Sequence, residues 1–136
     1  MSTHRDVSIV ITCFDYGRFL AEAVASALGQ DGGSPEVIVV DDGSTDGSGD
    51  VAASCGDRRV RVITMKASVG VSAARNIGVR ESSGEWLYFI DADDLARPGA
   101  LAQLIEAAAT KPEAGLVYGD YDRIRHDGAS AGNRRH

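Results

Sequence analysis

The sequence predicts an α/β fold in which a mostly parallel sheet lies between helices in three layers. Two observations lead to this prediction. Short β-branched runs alternate along the chain with longer segments whose apolar residues recur every three or four positions. Such alternation is typical of strands joined by right-handed helical crossovers, which place helices on both faces of the sheet. Polar and acidic residues also follow three of the strands, where open α/β folds gather their functional loops.

The first half of the chain predicts two strand–helix units. Residues 7–11 are a short, mostly β-branched run that predicts a strand. The segment after them carries apolar residues at helical spacing until Gly29. Residues 36–40 form a second apolar strand, and the turn formers at 41–48 precede a short helix near residues 48 to 55. The apolar residues of the first helix are Leu20, Ala23, Val24, Ala27 and Leu28.

The second half repeats this pattern. Residues 60–64 predict a third strand, and a helix from about residue 71 to residue 81 follows a loop. The apolar and aromatic run 86–90 predicts a fourth, buried strand. Pro98 fits the first turn of another helix, and a fifth strand is expected to begin at residue 115.

Length and composition indicate one domain at residues 7–125, with an N-terminal extension at 1–6 and a frayed polar tail at 126–136. The net charge of −6 disfavours binding to a nucleic-acid backbone. No apolar stretch reaches the roughly 20 residues of a membrane span, and no secretory signal is visible. Cys13 and Cys55 form neither a metal-binding pair nor a disulfide framework, so we expect reduced thiols in the cytoplasm.

The most informative feature is the group of carboxylates at the end of the fourth strand. Asp91, Asp93 and Asp94 directly follow the apolar run 86–90. Carboxylates so close together repel one another unless a cation lies between them, and hard oxygen ligands favour Mg²⁺ or Mn²⁺ over softer metals. The sequence therefore predicts a divalent-metal site. Asp94 is also placed to cap the helix that follows, and we favour that role for it over metal ligation.

Two other strand ends carry unusual polar residues. Residues 12–15 follow the first strand, and Asp41 and Asp42 follow the second. Because the carboxyl ends of parallel strands meet at one edge of the sheet, these residues and the acidic group at 91–94 are expected to face one ligand. Taken alone, the stretch 41–47 is also typical of a plain turn and helix cap.

Four stretches in this order resemble the family-2 type of glycosyltransferases with the GT-A fold, which use nucleotide-sugar donors. Residues 7–20 are similar to that family's opening strand and turn, and residues 36–46 to its second-strand signature. Residues 70–78 resemble its Ala-Arg-Asn helix, and residues 91–94 its DxD motif. The resemblance covers roughly residues 7 to 120. It implies a Rossmann-like, three-layer GT-A domain that is truncated on its C-terminal side.

The resemblance also implies which residues hold the donor. Thr12 and Phe14 would lie against the nucleobase and ribose, although Phe14 is equally typical of a core residue at a strand end. Asp42, and less directly Asp41, would contact the base or ribose. Arg75 would position the nucleotide, although its place on a helix also suits a solvated side chain. The implied donor-site residues are Thr12, Phe14, Asp15, Asp41, Asp42, Arg75, Asp91 and Ala92.

For the metal, the resemblance implies that Asp93 is the direct ligand and that Asp91 reaches the ribose or the water shell of Mn²⁺ or Mg²⁺. A diphosphate leaving group needs its developing charge neutralised, and a divalent cation held by carboxylates does this without proton transfer. The implied reaction transfers a hexosyl group with inversion from a nucleotide-diphospho-sugar, UDP-linked by preference, to an acceptor hydroxyl. The implied setting is cell-envelope polysaccharide or glycolipid assembly, at the inner face of the cell membrane.

The chain departs from the family pattern in two respects. Thr12, Asp15 and Ser68 stand where the family usually has proline, asparagine and asparagine, and Asp15 adds a negative charge beside a site for a diphosphate. Inverting transfer also needs a carboxylate base on the acceptor side, which the family carries well beyond the DxD motif. No acid after the motif matches that base, and we assign none of these: Glu106, Glu113, Asp120, Asp122 and Asp127.

The chain therefore resembles the donor-binding half of a glycosyltransferase, with the general base expected outside it. A missing half would leave a sheet edge or an apolar face uncovered, which favours self-association or a partner domain that completes the fold. A non-catalytic nucleotide-sugar-binding module, or a truncated fragment without the base, is the alternative. A receiver-type signalling domain is disfavoured because neither Lys66 nor Lys111 follows a fifth strand. A dinucleotide-binding enzyme is disfavoured because residues 12–17 are not a glycine-rich turn.

Overall fold

The computed structural model describes residues 6–125 and 127–134 of the chain. Its strands and helices follow one another in the alternating order that the sequence predicts as far as residue 110. The elements are β1 (Val7–Cys13), α1 (Gly17–Leu28), β2 (Glu36–Asp41), α2 (Ser48–Ala53), β3 (Val60–Thr64), α3 (Val71–Glu81), β4 (Trp86–Asp91), α4 (Ala100–Thr110), β5 (Tyr121–Ile124) and β6 (Ser130–Arg134). None of the described helices is long and apolar enough to cross a lipid bilayer.

The first four strands form one parallel sheet in the order β3-β2-β1-β4. β1 lies inside the sheet and is buried along its whole length. The register places Thr12 of β1 beside Val40 on one side and beside Asp91 on the other. Because these strands run in the same direction, their carboxyl ends meet at one edge of the sheet, as the sequence predicts.

Helices cover both faces of this sheet. Successive residues of a strand point to opposite faces. On one face, Ile38 and Val40 pack with Ala74 of α3. The helix comes so close that a Cβ added to its Gly78 would collide with Cγ1 of Val10. On the other face α1 contacts β1 and β2, so the predicted three layers are confirmed. The residues buried there are Ile9, Ile11, Val37 and Val39 in the strands and Leu20, Ala23, Val24 and Ala27 in α1.

The contacts within the chain divide it into two compact units, one up to Ala102 and one from Gln103 onward. The first unit contains the parallel sheet with α1, α2 and α3. The helix expected from Pro98 begins instead at Ala100, directly after Gly99, whose backbone φ of +79° is a left-handed conformation outside the helix. The second unit contains most of α4 together with β5 and β6.

The second unit corrects the prediction of a fifth strand beginning at residue 115. Residues 116–120 have no regular secondary structure, and Leu116 and Tyr118 are 79% and 81% exposed. An apolar run forms a strand only where a neighbour can hydrogen-bond with it, and among the described residues none pairs with this run. The next strand is β5, which begins at Tyr121.

The predicted frayed tail is also wrong for its described part. β6 pairs antiparallel with β5, with an irregularity between Arg123 and Ile124. Gly128 has a φ of +82°, and the Arg125 amide donates to the Ala129 carbonyl at 2.8 Å, so the chain turns back on itself. Asp-Gly is a strong hairpin signal that the polar composition of the tail obscured. Residues 1–5, 126, 135 and 136 of the predicted extension and tail lie outside the described residues.

Candidate functional site

A cavity of about 400 Å³ opens at the carboxyl edge of the parallel sheet. We refer to it as the strand-end cavity, and all of its lining belongs to the first unit. The sequence predicted six of its lining residues as donor or metal contacts: Thr12, Phe14, Asp42, Asp91, Ala92 and Asp93. The three strand ends therefore face one cavity, as expected. A smaller cavity of about 290 Å³ lies near Gly32 and Pro35, and Asp6 is its only charged lining residue.

Asp42 lines the strand-end cavity and also holds the loop between β3 and α3. It is 4% exposed, and its carboxylate accepts hydrogen bonds from Ser68 Oγ at 2.7 Å, Val69 N at 2.7 Å and Gly70 N at 3.0 Å. Burial alone would raise the pKa of Asp42, but these donors outweigh it and hold the pKa below its usual value. The carboxylate is ionised and has room for one more donor.

Asp41 and Asp46 serve the local structure rather than the cavity. Asp41 is 2% exposed and accepts a hydrogen bond from Ser44 N at 3.0 Å. Asp46 accepts bonds from Gly17 N at 2.9 Å and from the amide and hydroxyl of Ser48, so it ties together the first turns of α1 and α2. These bonds, with that from the Ser48 hydroxyl foremost, lower the pKa of Asp46. Asp41 does not line the strand-end cavity, and its predicted contact with the donor stays a prediction.

Asp15 points its carboxylate at a neighbouring loop and does not line the strand-end cavity. Its φ of +55° is left-handed, a conformation that aspartate and asparagine tolerate better than most residues. Its Oδ1 accepts hydrogen bonds from Thr45 N at 2.7 Å and Thr45 Oγ1 at 3.3 Å, while its own amide donates to Ser44 Oγ at 3.0 Å. The residue joins the loops that follow β1 and β2.

Asp91 is the member of the β4 acidic group that has partners. Arg75 Nη2 donates to its Oδ1 at 2.9 Å, and Thr12 Oγ1 donates to the same oxygen at 3.3 Å. The ion pair is open to solvent, with the side chains of Arg75 and Asp91 41% and 46% exposed. Arg75 is not part of the cavity lining, but this pair places its guanidinium beside a residue that is.

Asp93 and Asp94 differ from every carboxylate described above. Among the described residues, no side-chain hydrogen bond or ion pair engages either carboxylate, and Asp93 lines the cavity. Although Asp94 is at the surface, surrounding protein atoms partly desolvate it, and Asp93 and Asp91 repel its charge, so its pKa is raised. The predicted helix cap is wrong for Asp94, because its amide donates to the Asp91 carbonyl in a turn and α4 begins only at Ala100.

The acidic group fits one kind of metal site and not another. Within residues 6–125 and 127–134, no three His, Cys, Asp or Glu side chains are grouped so that they could hold a metal by themselves. Mg²⁺ and its relatives also bind through one or two carboxylates together with substrate phosphates. Asp93, whose carboxylate has no partner among the described residues, and Asp91, which keeps one oxygen free of the bonds from Arg75 and Thr12, both line the cavity and suit that second kind of site.

The lining also includes residues that the sequence did not predict as donor or metal contacts. They are Cys13, Tyr16, Ser68, Gly70, Val71 and Ala74. Phe14, Tyr16 and Val71 are 48%, 44% and 52% exposed, so they give the open cavity an apolar wall against which a planar ring can pack. The aromatic residues beside Thr12 were a usable signal for this wall. The loop at 68–70 was not foreseen, because it reaches the cavity through Asp42, which is distant in sequence.

Cys13 carries no chemistry of its own here. It is buried at the end of β1, and burial, partly offset by a hydrogen bond with Ser48, raises the pKa of its thiol. A thiol that stays protonated is neither a nucleophile nor a metal ligand.

The sequence matches a family model described as "Glycosyl transferase family 2" over residues 8–136. Among curated proteins, it is 35% identical over 125 residues to the succinoglycan biosynthesis protein ExoO of Rhizobium meliloti (strain 1021). That match covers 92% of this chain and 36% of ExoO. The chain therefore spans little more than a third of the length of this relative.

Solved structures resemble the chain in fold and moderately in sequence. S. aureus TarS in complex with UDP matches with a TM-score of 0.68 and 26% identity, over 79% of this chain and 32% of that one. The mannosyltransferase PcManGT from Pyrobaculum calidifontis, in complex with GDP-Man and Mn²⁺, matches with a TM-score of 0.69 and 26% identity. That match covers 77% of this chain and 32% of the other.

Proposed function

The chain belongs to glycosyl transferase family 2 and has the GT-A fold, and on that premise we propose that it is the donor-binding part of a sugar transferase. The proposed donor is a nucleotide-diphospho-sugar, UDP-linked by preference, bound in the strand-end cavity with Mn²⁺ or Mg²⁺. The observation that carries the proposal is the meeting of three strand ends at this cavity. They bring together Thr12, Asp42 and Asp93, and Asp93 has no side-chain partner among the described residues.

The nucleoside is proposed to lie against the apolar wall of the cavity. Phe14 and Tyr16 offer aromatic surface, and Asp42 has one acceptor position left for an N–H of the base. A uracil ring offers such a donor. TarS was solved with UDP, and its match covers 79% of this chain. This supports the choice of base. PcManGT was solved with GDP-Man, so guanine is the base to test against it.

The diphosphate and its cation are proposed to bind at the second acidic group. Asp93 is the proposed ligand, and Asp91 is proposed to reach the ribose or the water shell of the cation. When bound, the cation supplies neutralisation of the charge that develops on the diphosphate leaving group. Arg75, held at 2.9 Å from Asp91, adds a positive charge beside the same cavity.

We assign no residue of this chain to the binding of the acceptor. We propose transfer of a hexosyl group with inversion to an acceptor hydroxyl, and we assign no general base, since no acid after Asp94 matches the family's base. The name of ExoO, a succinoglycan biosynthesis protein, supports a role in envelope polysaccharide assembly. We propose a cytoplasmic location, peripheral to the inner face of the membrane, with a partner domain or a second copy completing the fold.

Calorimetric titration of UDP with and without Mn²⁺ tests the donor and metal assignments. We expect Mn²⁺ to increase UDP affinity, and Asp93→Ala to remove that increase while metal-free binding remains. Equal affinity with and without metal, or an unaffected Asp93→Ala variant, contradicts the metal assignment. GDP titrated in parallel should bind more weakly, and tighter GDP binding overturns the choice of UDP.

Release of free UDP separates a transferase from a binding module. Chain incubated with UDP-sugars and Mn²⁺ is compared with a blank, with Asp93→Ala as the matched negative. If the wild-type chain releases free UDP above the blank and the Asp93→Ala variant does not, the result supports catalysis by this chain. Measurable binding without release favours the non-catalytic module instead.

A further inference from the structure

Gln30 is a buried polar residue that the site described above does not use. It follows α1 and is 5% exposed. Its Nε2 lies 3.0 Å from the Ser26 carbonyl, 3.1 Å from the Arg97 carbonyl and 3.4 Å from the Ala96 carbonyl. Its Oε1 accepts a hydrogen bond from Leu101 N at 3.0 Å. Apart from the bond to Ser26, these contacts all go to the segment 96–101, which follows the acidic group.

Ser26 holds the same segment one helical turn earlier. Its Oγ accepts a hydrogen bond from Ala96 N at 3.0 Å and donates to the Ala23 carbonyl at 2.7 Å. Ala96 is 5% exposed, so its amide would lose its partner without regaining water if the serine were removed. Ser26 and Gln30 together fix the two ends of the segment 96–101.

Asp93 and Asp94 therefore lie between two fixed backbone positions, Ala92 and Ala96. On their N-terminal side, Ala92 is 2% exposed and its amide donates to the Thr12 carbonyl at 3.1 Å. On their C-terminal side, Ala96 is held by Ser26 and Gln30. The residues between these anchors are exposed, and Asp93 is among them. With both ends fixed, a stretch this short has little freedom to move its carboxylate away from the cavity.

We propose that Gln30 is a positioning residue for Asp93, which acts by holding the segment 96–101 against α1. This inference rests on the proposed function, in which Asp93 is the metal ligand. A residue that served only to fill space would need no amide, because a buried polar side chain is tolerated only where its hydrogen bonds are made. Here the amide bonds to the backbone of the segment 96–101 and to the Ser26 carbonyl of α1, so it links the two.

The test compares three variants of the chain by titration of UDP with and without Mn²⁺. Gln30→Met keeps the length and volume of the side chain and removes its hydrogen bonds. Ser26→Ala removes a smaller part of the same anchor and serves where Gln30→Met folds poorly. Ser8→Ala is the matched control, since its hydroxyl is fully buried and makes two hydrogen bonds, to Glu36 and Gly84, at the opposite edge of the sheet.

We expect Gln30→Met to lose about tenfold of the Mn²⁺-dependent gain in UDP affinity, as outer-shell substitutions do at metal sites. Metal-free UDP affinity should change by less than about twofold, because Asp42 and the aromatic wall are untouched. Ser26→Ala should show a smaller loss in the same direction, and Ser8→Ala none. Equal losses with and without metal, or an equal loss in Ser8→Ala, would reduce Gln30 to a structural residue and overturn the inference.

Hydrogen exchange separates a failure of this inference from a failure of the proposed function. In Gln30→Met the Leu101 and Ala96 amides should exchange at least about tenfold faster, while amides of β1 keep their protection. If the wild-type chain shows no metal-dependent gain but exchange quickens only at this segment, the metal assignment fails and the anchor stands. If exchange is unchanged there, Gln30 does not hold the segment, and the inference is overturned whatever the metal does.

Discussion

Two acidic stretches follow β2 and β4, the strands on either side of β1, and the fold uses them in opposite ways. In the first acidic stretch, residues 41–46, every aspartate accepts hydrogen bonds from backbone amides or hydroxyls, and the pKa values of Asp42 and Asp46 lie below their usual range. In the second acidic stretch, residues 91–94, only Asp91 has partners among the described residues, and the pKa of Asp94 is raised.

The difference shows how one residue type can serve stability in one loop and binding in another. A carboxylate surrounded by donors is ionised and satisfied, so it stabilises the loops that supply the donors. A carboxylate crowded by other carboxylates gains from an external cation instead. The first acidic stretch therefore shapes the strand-end cavity, and the second is available to a ligand.

Of the aspartates in both stretches, Asp42 is the one whose loss should destabilise the fold most. Asp42→Ala leaves Ser68 Oγ, Val69 N and Gly70 N without their shared acceptor, and we expect the free energy of unfolding to fall by about 3 kcal/mol. Asp93→Ala is the control in the second acidic stretch and should change it by less than about 0.5 kcal/mol. Urea unfolding of both variants measures the contrast. Equal losses in the two variants would erase the distinction between the stretches.

Arg75 is the cationic partner of Asp91 in the second acidic stretch, and its removal tests whether this charge serves binding or stability. Because the pair with Asp91 is solvent-exposed, Arg75→Ala should change the free energy of unfolding by no more than about 0.5 kcal/mol. UDP affinity should nevertheless fall about tenfold, or about 1.4 kcal/mol, since a charge beside the proposed diphosphate is removed. Arg61→Ala, which breaks a similarly exposed pair with Glu81, is the control and should leave UDP affinity unchanged. A parallel loss in both variants would point to a general effect of net charge.

The fold up to α4 was predictable because its information is local. The β-branched runs of β1 and β2 and the helical spacing of α1 each state their own structure. Within the part of the chain that the structure describes, the run beginning at residue 115 has no strand neighbour, and its own sequence does not reveal this. The strand-end position of Asp42 and Asp93 was predictable for the same topological reason.

The roles of individual site residues were less predictable because they depend on distant partners. From the sequence, Asp42 is predicted only as a ligand, and its donors Ser68 and Gly70 appear only in the structure. Gln30 likewise has no predicted role until its contacts with residues 96–101 are known. Spacing along the chain carries no sign of such contacts. Only the packing of α1 and of the loop before α3 creates them.

Acid titration should distinguish the two stretches, because the stability that their carboxylates contribute changes with pH in opposite directions. The stability that Asp42 and Asp46 contribute is present above the ordinary carboxyl pKa of 3.8 and is lost as the pH falls through their lowered pKa values. Asp94 has a raised pKa, so its contribution is present below 3.8 and is lost as the pH rises through that raised value.

Asp94→Asn should therefore stabilise the chain slightly at pH 7, by about 0.5 kcal/mol, and this gain should shrink as the pH is lowered toward 4. Asp42→Asn, the comparison variant, should be less stable than wild type at pH 7, with a deficit that shrinks on acidification. Urea unfolding at several pH values measures both trends. A loss of stability in Asp94→Asn at pH 7 would mean that its carboxylate is satisfied in the fold.

Substitution of Asp15 by asparagine should have the smallest effect on stability and affinity. It tests whether this carboxylate, which lies in neither stretch, behaves like those of the first or those of the second. Asparagine tolerates the left-handed φ of +55° and keeps an oxygen for Thr45 N, so Asp15→Asn should change the free energy of unfolding by less than about 0.3 kcal/mol. UDP affinity should stay within about twofold, because the carboxylate points at Thr45 and not into the strand-end cavity. Asp15→Ala, which loses both properties, should cost about 1 kcal/mol. A severalfold gain in UDP affinity in Asp15→Asn would instead place this charge beside the diphosphate and group Asp15 with Asp93.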